Sequence, residues 1–326
     1  MTGTDRTSDG DSQGRQSNDG PREPRPVVFA TDIGTDVDDT WALAQLFGRP
    51  ELDLRLVVTE TGDPTYRASI AAKLLERADR FDVPLALGNG DSQMDEAART
   101  QAPWIEGYDL GDYPGEVHED GIDALAETVA AASQPVTVLS VAPTPTIAAA
   151  IDRDPELARQ CRFVGMHGSF QRGYDGGDPD AETNVRVDPD AFRTVLSAPW
   201  QDVLLTPLDT CGQVRLTGKA YHRVWSATSD PVLRGVIENN CLFASRVPWM
   251  AYEDFTRRSS TLFDTAAVAL AHEESWFEIE RRSFDVTDDG FTIPDSNGAY
   301  EARIALEWAD REGFETALLD ALSSRG

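Results

Sequence analysis

Short, nearly continuous apolar runs alternate along this chain with stretches whose apolar residues recur every three or four positions. The runs Val27 to Thr31, Leu54 to Thr59, Val83 to Leu87, Val136 to Val141, Arg162 to Met166 and Val203 to Thr206 have the pattern of strands buried on both faces. Between them, Asp39 to Phe47, Tyr66 to Asp79, Ile122 to Ala132, Pro145 to Arg153 and Pro189 to Leu196 read as helices. This alternation predicts an α/β fold: a doubly wound, mostly parallel sheet flanked by helices, forming one domain over residues 27–326. Further along, Ser245 to Ala271 reads as mainly helical. Phe277 to Ile293 reads as short strands joined at Asp288, Asp289 and Gly290, with a closing helix from about Asn297.

Residues 1–26 are rich in Gly, Ser, Asp, Arg and Pro with almost nothing apolar, so they are expected to form a disordered polar tail. Over the whole chain 57 acidic residues oppose 29 basic ones, giving a formal charge of -28. That balance excludes a binder of nucleic-acid backbones, which needs clustered cations. Lys occurs only at Lys73 and Lys219. An acid-rich, Lys-poor surface resembles that of proteins from salt-accumulating organisms, where molar ions screen self-repulsion. No apolar stretch of roughly 18 residues and no secretory leader are present, so a cytoplasmic protein without membrane contact is expected. Cys161, Cys211 and Cys241 are too scattered for a disulfide framework and read as reduced and structural.

The first strand runs directly into an acidic loop. Asp32, Asp36, Asp38 and Asp39 fall within eight positions, between an apolar strand and an apolar-periodic helix. Ligands of open α/β sheets gather beyond the carboxyl ends of the strands, and Gly34 permits a sharp turn there. Converging carboxylates repel unless a cation neutralises them, and hard oxygen donors suit Ca²⁺ or Mg²⁺. The alternative is that Asp38 or Asp39 merely complements the positive end of the helix while the others face solvent.

ATDIGTDVDD resembles the DxDPGxDD opening of the nucleoside hydrolase family, the inosine-uridine type ribohydrolases, although it is two residues longer and has Ala30 for the first Asp. SVAPTPTIAAAIDRDPEL, FVGMHGSF, AETNVRVDPDA and LFDTAAVAL are similar to later segments of that family, in order, so that the resemblance spans roughly Val27 to Leu270. It implies a nucleoside hydrolase-like fold and calcium-dependent cleavage of the N-glycosidic bond of a ribonucleoside. It further implies Ca²⁺ ligation by Asp32, Asp39, Asp264 and the carbonyl of Pro145. Asp38, Glu182 and Asn184 would hold the ribose hydroxyls, and Met166 would flank the sugar. Relatives are commonly homo-oligomers, dimers or tetramers. Because the bond breaks through an oxocarbenium-like sugar, the expected mechanism is direct attack by water on the cation, with Asp32 as general base.

Several positions depart from the family pattern. Phe263 replaces the His that often precedes the last metal ligand, which removes an obvious proton donor for the departing base. Trp249, Tyr252, His222 and His118 are the candidates by residue type to replace it. Trp249 can stack on a base or pack in the core. Asp63 stands where an Asn is usual and is expected to reach the sugar as an acceptor only. Gly176, in a Gly-rich loop, leaves the far end of the sugar without its usual Asn. His118 reads as the neighbour of a helix cap, and His167 as a packing residue. Two other functions are weighed: a nucleoside- or ribose-binding protein without turnover, and a haloacid dehalogenase-type phosphatase suggested by Asp36, Asp38 and Thr40. In the latter class the nucleophilic Asp follows its strand directly, whereas here Asp32 holds that place.

Overall fold

The computed structural model describes residues 23–90, 94–250 and 252–323. Of the polar segment 1–26, residues 1–22 lie outside these. The first strand starts at Arg25, two residues before the expected boundary.

Ten strands form one sheet: β1 (Arg25–Thr31), β2 (Leu52–Thr59), β3 (Leu85–Leu87), β4 (Val117–His118), β5 (Val136–Ser140), β6 (Cys161–Gly165), β7 (Val203–Leu205), β8 (Phe277–Val286), β9 (Thr292–Pro294) and β10 (Tyr300–Trp308). The helices are α1 (Asp38–Phe47), α2 (Pro64–Arg77), α3 (Gly121–Ala131), α4 (Pro145–Arg153), α5 (Thr183–Val187), α6 (Pro189–Ser197), α7 (Leu208–Cys211), α8 (Gly218–Trp225), α9 (Pro231–Ala244), α10 (Tyr252–Phe255), α11 (Phe263–His272) and α12 (Arg311–Ser323). The strand order is β4-β3-β2-β1-β5-β6-β7-β10-β8-β9. Neighbours from β4 through β7 to β10 are parallel, and the pairs of β8 with β10 and β9 are antiparallel.

Alternation along β1 divides the core. Val27 and Phe29 join one apolar cluster with Trp41 of α1, Ile70 of α2, Val236 of α9, Val268 of α11 and Phe314 of α12. Val28 and Ala30 join the other, with Leu125 of α3, Ile147 of α4 and Phe192 of α6. Both faces of the sheet are covered, which is why its strands read as continuous apolar runs. Among the described residues no helix is long and apolar enough to cross a membrane.

The expected α/β architecture holds, and the C-terminal third needs two corrections. Among the described residues of Ser245 to Ala271, only α10 and α11 are helical. Between them, Ser259 and Leu262 donate their N–H groups to the carbonyls of Leu216 and Val214, so this backbone pairs with a distant loop instead of coiling. The closing helix does not start near Asn297. A turn at Asp295–Gly298 leads into β10, whose Ala302, Ile304 and Leu306 bury on one face at the strand period of two. The helix begins only at Arg311. There Phe314, fully buried, stacks on Trp308 with ring centroids 4.7 Å apart. Phe314→Ala should therefore cost about 3–5 kcal/mol in urea denaturation. An unchanged midpoint would show that α12 is not docked as described.

Candidate active site

The acidic loop leaves β1 at its carboxyl end, where β1 lies between β2 and β5 and the winding of the sheet reverses. Its shape is fixed from outside. Gly34 has φ of 112°, and a Cβ there would lie 2.6 Å from Cε1 of Tyr66, so only glycine fits. Five successive carbonyls accept hydrogen bonds from other segments. Arg67 Nη1 serves Asp32 and Ile33. The Tyr66 hydroxyl (2.9 Å) and Thr100 Oγ1 (3.2 Å) serve Gly34. Thr100 Oγ1 also serves Thr35 (2.8 Å), and Gln101 Nε2 serves Asp36 (2.7 Å).

What this scaffold presents is negative charge. Asp38 and Asp39, in the first turn of α1, and Asp264, in the first turn of α11, are buried, and each offers a carboxylate oxygen within 4.8 Å of the others. Asp39 Oδ1 accepts from Thr31 Oγ1 at 2.5 Å. Asp32 and Asp36 line the same cavity, which has a volume of about 280 Å³. Burial, reinforced by the neighbouring acids, pushes Asp38, Asp39 and Asp264 well above the usual carboxylate range. Burial likewise lifts Asp36 to about 6. It also raises Asp32, although the Arg67 guanidinium, 3.9 Å from its Oδ2, pulls the other way. Buried carboxyls at this density, all hard oxygen donors from two helix N-termini, fit a divalent cation.

Of the expected ligands, Asp39 and Asp264 converge, Asp38 joins them, and Asp32 borders the same space. Pro145 occupies the first position of α4, and its carbonyl accepts from Asn89 Nδ2 at 3.4 Å. Beside it lies a group that sequence reading overlooked. Glu60, fully buried, accepts from the backbone N–H and the hydroxyl of Thr146, while its other oxygen has no hydrogen-bond partner among the described residues. Burial pushes Glu60 up to about 8. Only its place at the end of an apolar run could have signalled it.

The opposite wall carries Met166, Glu182 and Asn184, all buried and all lining the cavity. The Glu182 carboxylate accepts from the N–H groups of Asn184 (2.7 Å), Gly168 (3.1 Å) and Val185 (3.2 Å), capping α5. Burial raises it to about 7 against the lowering effect of those donors. Asn184 Nδ2 donates to the carbonyls of Met166 and Val141, which fixes the amide. Tyr174, from the Gly-rich loop and also overlooked, meets Phe263 edge-on at 6.0 Å. These two rings, with Trp249 and Asp36, are shared with an adjoining cavity of about 400 Å³ that also holds Arg215 and Arg258.

Trp249 is 70% exposed, so it does not pack in the core. Asp63 does not line the cavity. It caps α2 through Tyr66 N–H and pairs with Arg99 at 2.7 Å. His118 lies in β4, and the cap of α3 is Asp120. His222 is exposed on α8. The side chain of Tyr252 falls outside the described residues. His167 is a packing residue as expected: it stacks on Phe192 at 4.7 Å, and burial lowers it to about 3. Among the described residues no histidine lines the acidic cavity. A bigger and mainly apolar hollow, about 700 Å³ around Trp104 and Ile237, shares no lining residue with the acidic cavity. Chemistry, not size, identifies the site.

A cavity at the reversal of a doubly wound sheet, walled by converging carboxylates, is where comparison with known proteins becomes informative. Residues 27–316 match the family model described as inosine-uridine preferring nucleoside hydrolase, and the chain belongs to that family. Membership makes it an enzyme of the class that hydrolyses N-glycosyl compounds. It is 31% identical over 255 residues to the non-specific ribonucleoside hydrolase RihC of Salmonella agona, covering 72% of this chain and 81% of that one. To RihC of Klebsiella pneumoniae it is 26% identical over 314 residues, covering 89% and 95%. In structure it is similar to the plant nucleoside hydrolase PpNRh1, with a TM-score of 0.75 and 21% identity over 92% of this chain and 99% of that one. The inosine-uridine preferring nucleoside hydrolase of Bacillus anthracis gives a TM-score of 0.72 at 18% identity, over 91% and 99%. At such identities the two structures establish the fold.

The raised carboxyls fix a pH response. They keep protons in the folded chain that the unfolded chain releases near pH 4. Without a cation their stabilising contribution is therefore complete below about pH 4 and is lost as pH rises through about 6 for Asp36 and about 7 for Glu182. A bound dication favours the carboxylates and offsets that loss. In chelator, Tm should fall between about pH 5 and about pH 8, and added Ca²⁺ should raise it more at the higher pH. A pH-independent Tm in chelator, or a larger Ca²⁺ effect at low pH, would contradict this electrostatic picture.

Proposed function

We propose that this protein hydrolyses the N-glycosidic bond of ribonucleosides or related N-ribosides, giving free base and ribose, with Ca²⁺ held by Asp32, Asp39, Asp264 and the Pro145 carbonyl. The observation that carries the reading is the convergence of buried Asp38, Asp39 and Asp264 in one cavity with Glu182 and Asn184. Ca²⁺ is chosen because the donors are all hard oxygens, without imidazole or thiolate, and because it tolerates irregular coordination. Bound there, the ion supplies Lewis acidity that makes a neighbouring water easier to deprotonate.

The remaining chemistry belongs to the chain. Asp32, the most exposed of the three carboxylate ligands, takes the proton of the attacking water. Asp38, Glu182 and Asn184 hold the ribose hydroxyls and convert binding into orientation. Met166 flanks the ring. The concentrated negative charge stabilises the oxocarbenium-like sugar as the bond to the base stretches. Trp249, at the mouth, offers a face on which the base stacks. The acid-rich, Lys-poor surface supports a cytoplasm of high ionic strength as the working environment, and we take the enzyme to act there as a homo-oligomer.

Reducing-sugar release from a panel including inosine, uridine and adenosine, in molar KCl with and without chelator, tests the reading. Ribose should appear with at least one nucleoside and stop on chelation, while circular dichroism shows the fold retained. Saturable nucleoside binding with no ribose after hours would establish a binding protein instead. Asp32→Ala should lower kcat by at least about 10²- to 10⁴-fold, the usual worth of a general base. Asp39→Ala should weaken the ion and be partly rescued by excess Ca²⁺. Near wild-type turnover by Asp32→Ala would refute its assigned role.

A further inference from the structure

We propose that Arg67 is a positioning residue for this reaction, a forked clamp beneath the acidic loop that sets the direction of Asp32 relative to Asp38, Asp39 and Asp264. The proposal rests on reading the cavity as a cation-dependent hydrolytic site.

Arg67 lies in the first turn of α2, and its side chain is only 5% exposed. A buried guanidinium is costly unless its donors are satisfied. Here Nε and Nη1 are directed to backbone and hydroxyl acceptors, and Nη2 faces the Asp32 carboxylate. Nε donates to the Thr61 carbonyl at 3.1 Å, and Nη1 donates to the carbonyls of Asp32 and Ile33 and to Thr35 Oγ1. One planar group thus ties the start of α2 and the β2–α2 turn to the segment carrying Asp32. The start of α2 is itself anchored, because Asp63 both caps it and pairs with Arg99.

The Asp32 carboxylate needs such help. It is 21% exposed, and among the described residues no side chain hydrogen-bonds to it. Arg67 Nη2 stands 3.9 Å from it, too far for a hydrogen bond. The guanidinium therefore orients Asp32 chiefly through its backbone and leaves the carboxylate free to act. A lysine, with a compact ammonium, cannot span the same acceptors.

Charge and geometry predict opposite effects on the ion. A cation beside a dication site weakens binding by repulsion, so removing a mere charge would tighten it. Removing a clamp loosens the ligands and weakens binding. Calcium affinity by isothermal titration, kcat and KM for ribose release in molar KCl, and Tm would be measured for R67M and R67K. The expected result for R67M is a loss of about 10- to 100-fold in Ca²⁺ affinity or in kcat, the range for residues that support metal ligands. KM should change by less than about threefold, and R67K should recover part of the loss. Wild-type affinity and kcat in R67M, or tighter Ca²⁺ binding with unchanged kcat, overturn the proposal. Should R67M fail to fold, R67K decides: a partial loss of Ca²⁺ affinity or kcat supports the clamp, and wild-type values overturn it. A wild-type chain that binds Ca²⁺ but releases no ribose defeats the hydrolase reading and leaves the affinity comparison to decide the role of Arg67.

Discussion

The mutual repulsion of carboxylates confined to one small buried volume is the constraint from which the rest of this structure follows. Asp38, Asp39 and Asp264 lie within 4.8 Å of one another, and Asp32 and Asp36 share their cavity. Arrangements of this kind are poor devices for stability, because charge buried without a partner costs several kcal/mol per group or forces protonation. The surroundings relieve part of the cost. Asp38, Asp39 and Asp264 sit in the first turns of helices, where the backbone dipole favours negative charge. The loop itself is held through its carbonyls by Arg67, Tyr66, Thr100 and Gln101, so its shape does not depend on attraction among its own side chains. On the proposed reading, a bound dication would complete what these contacts leave undone.

Tasks around the cavity are divided by element. The β1–α1 side concentrates charge, the β6–α5 side supplies Glu182 and Asn184, both locked by backbone hydrogen bonds, and the outer edge is aromatic. Phe263, Tyr174 and Trp249 form that edge, and it holds no imidazole among the described residues. On the proposed reading, a departing base would meet ring faces, with Arg215 and Arg258 in the adjoining cavity, instead of a titrating histidine.

Much of this was legible in the order of residues because it rests on local periodicity. Six parallel strands and the helices between them follow from apolar runs of period one and amphipathic stretches of period 3.6, and their ends were read to within about two residues. The acidic loop was legible because composition and position coincide there. What the pattern did not disclose depends on contacts across the fold. Strand β10 reads as part of a closing helix although Ala302, Ile304 and Leu306 alternate, because its partner strands lie elsewhere in the chain. The residues near Ser259 pair with a loop some forty positions earlier, which no local signal records. Asp63 reads as a sugar contact from its place after Gly62, whereas its partners Tyr66 and Arg99 make it the cap of α2. Glu60, Arg67 and Tyr174 escaped notice because a single charged or aromatic residue in an ordinary setting gains meaning only from what it faces.

The central claim is that these acids share one ion. A crystal structure of the Ca²⁺-loaded protein with ribose tests it most directly, using the anomalous signal to locate the metal. One ion is expected, with oxygens of Asp32, Asp39 and Asp264 at about 2.3–2.6 Å, and the sugar hydroxyls against Asp38, Glu182 and Asn184. An empty acidic cavity under saturating Ca²⁺, or an ion bound elsewhere with ribose still in place, would contradict it.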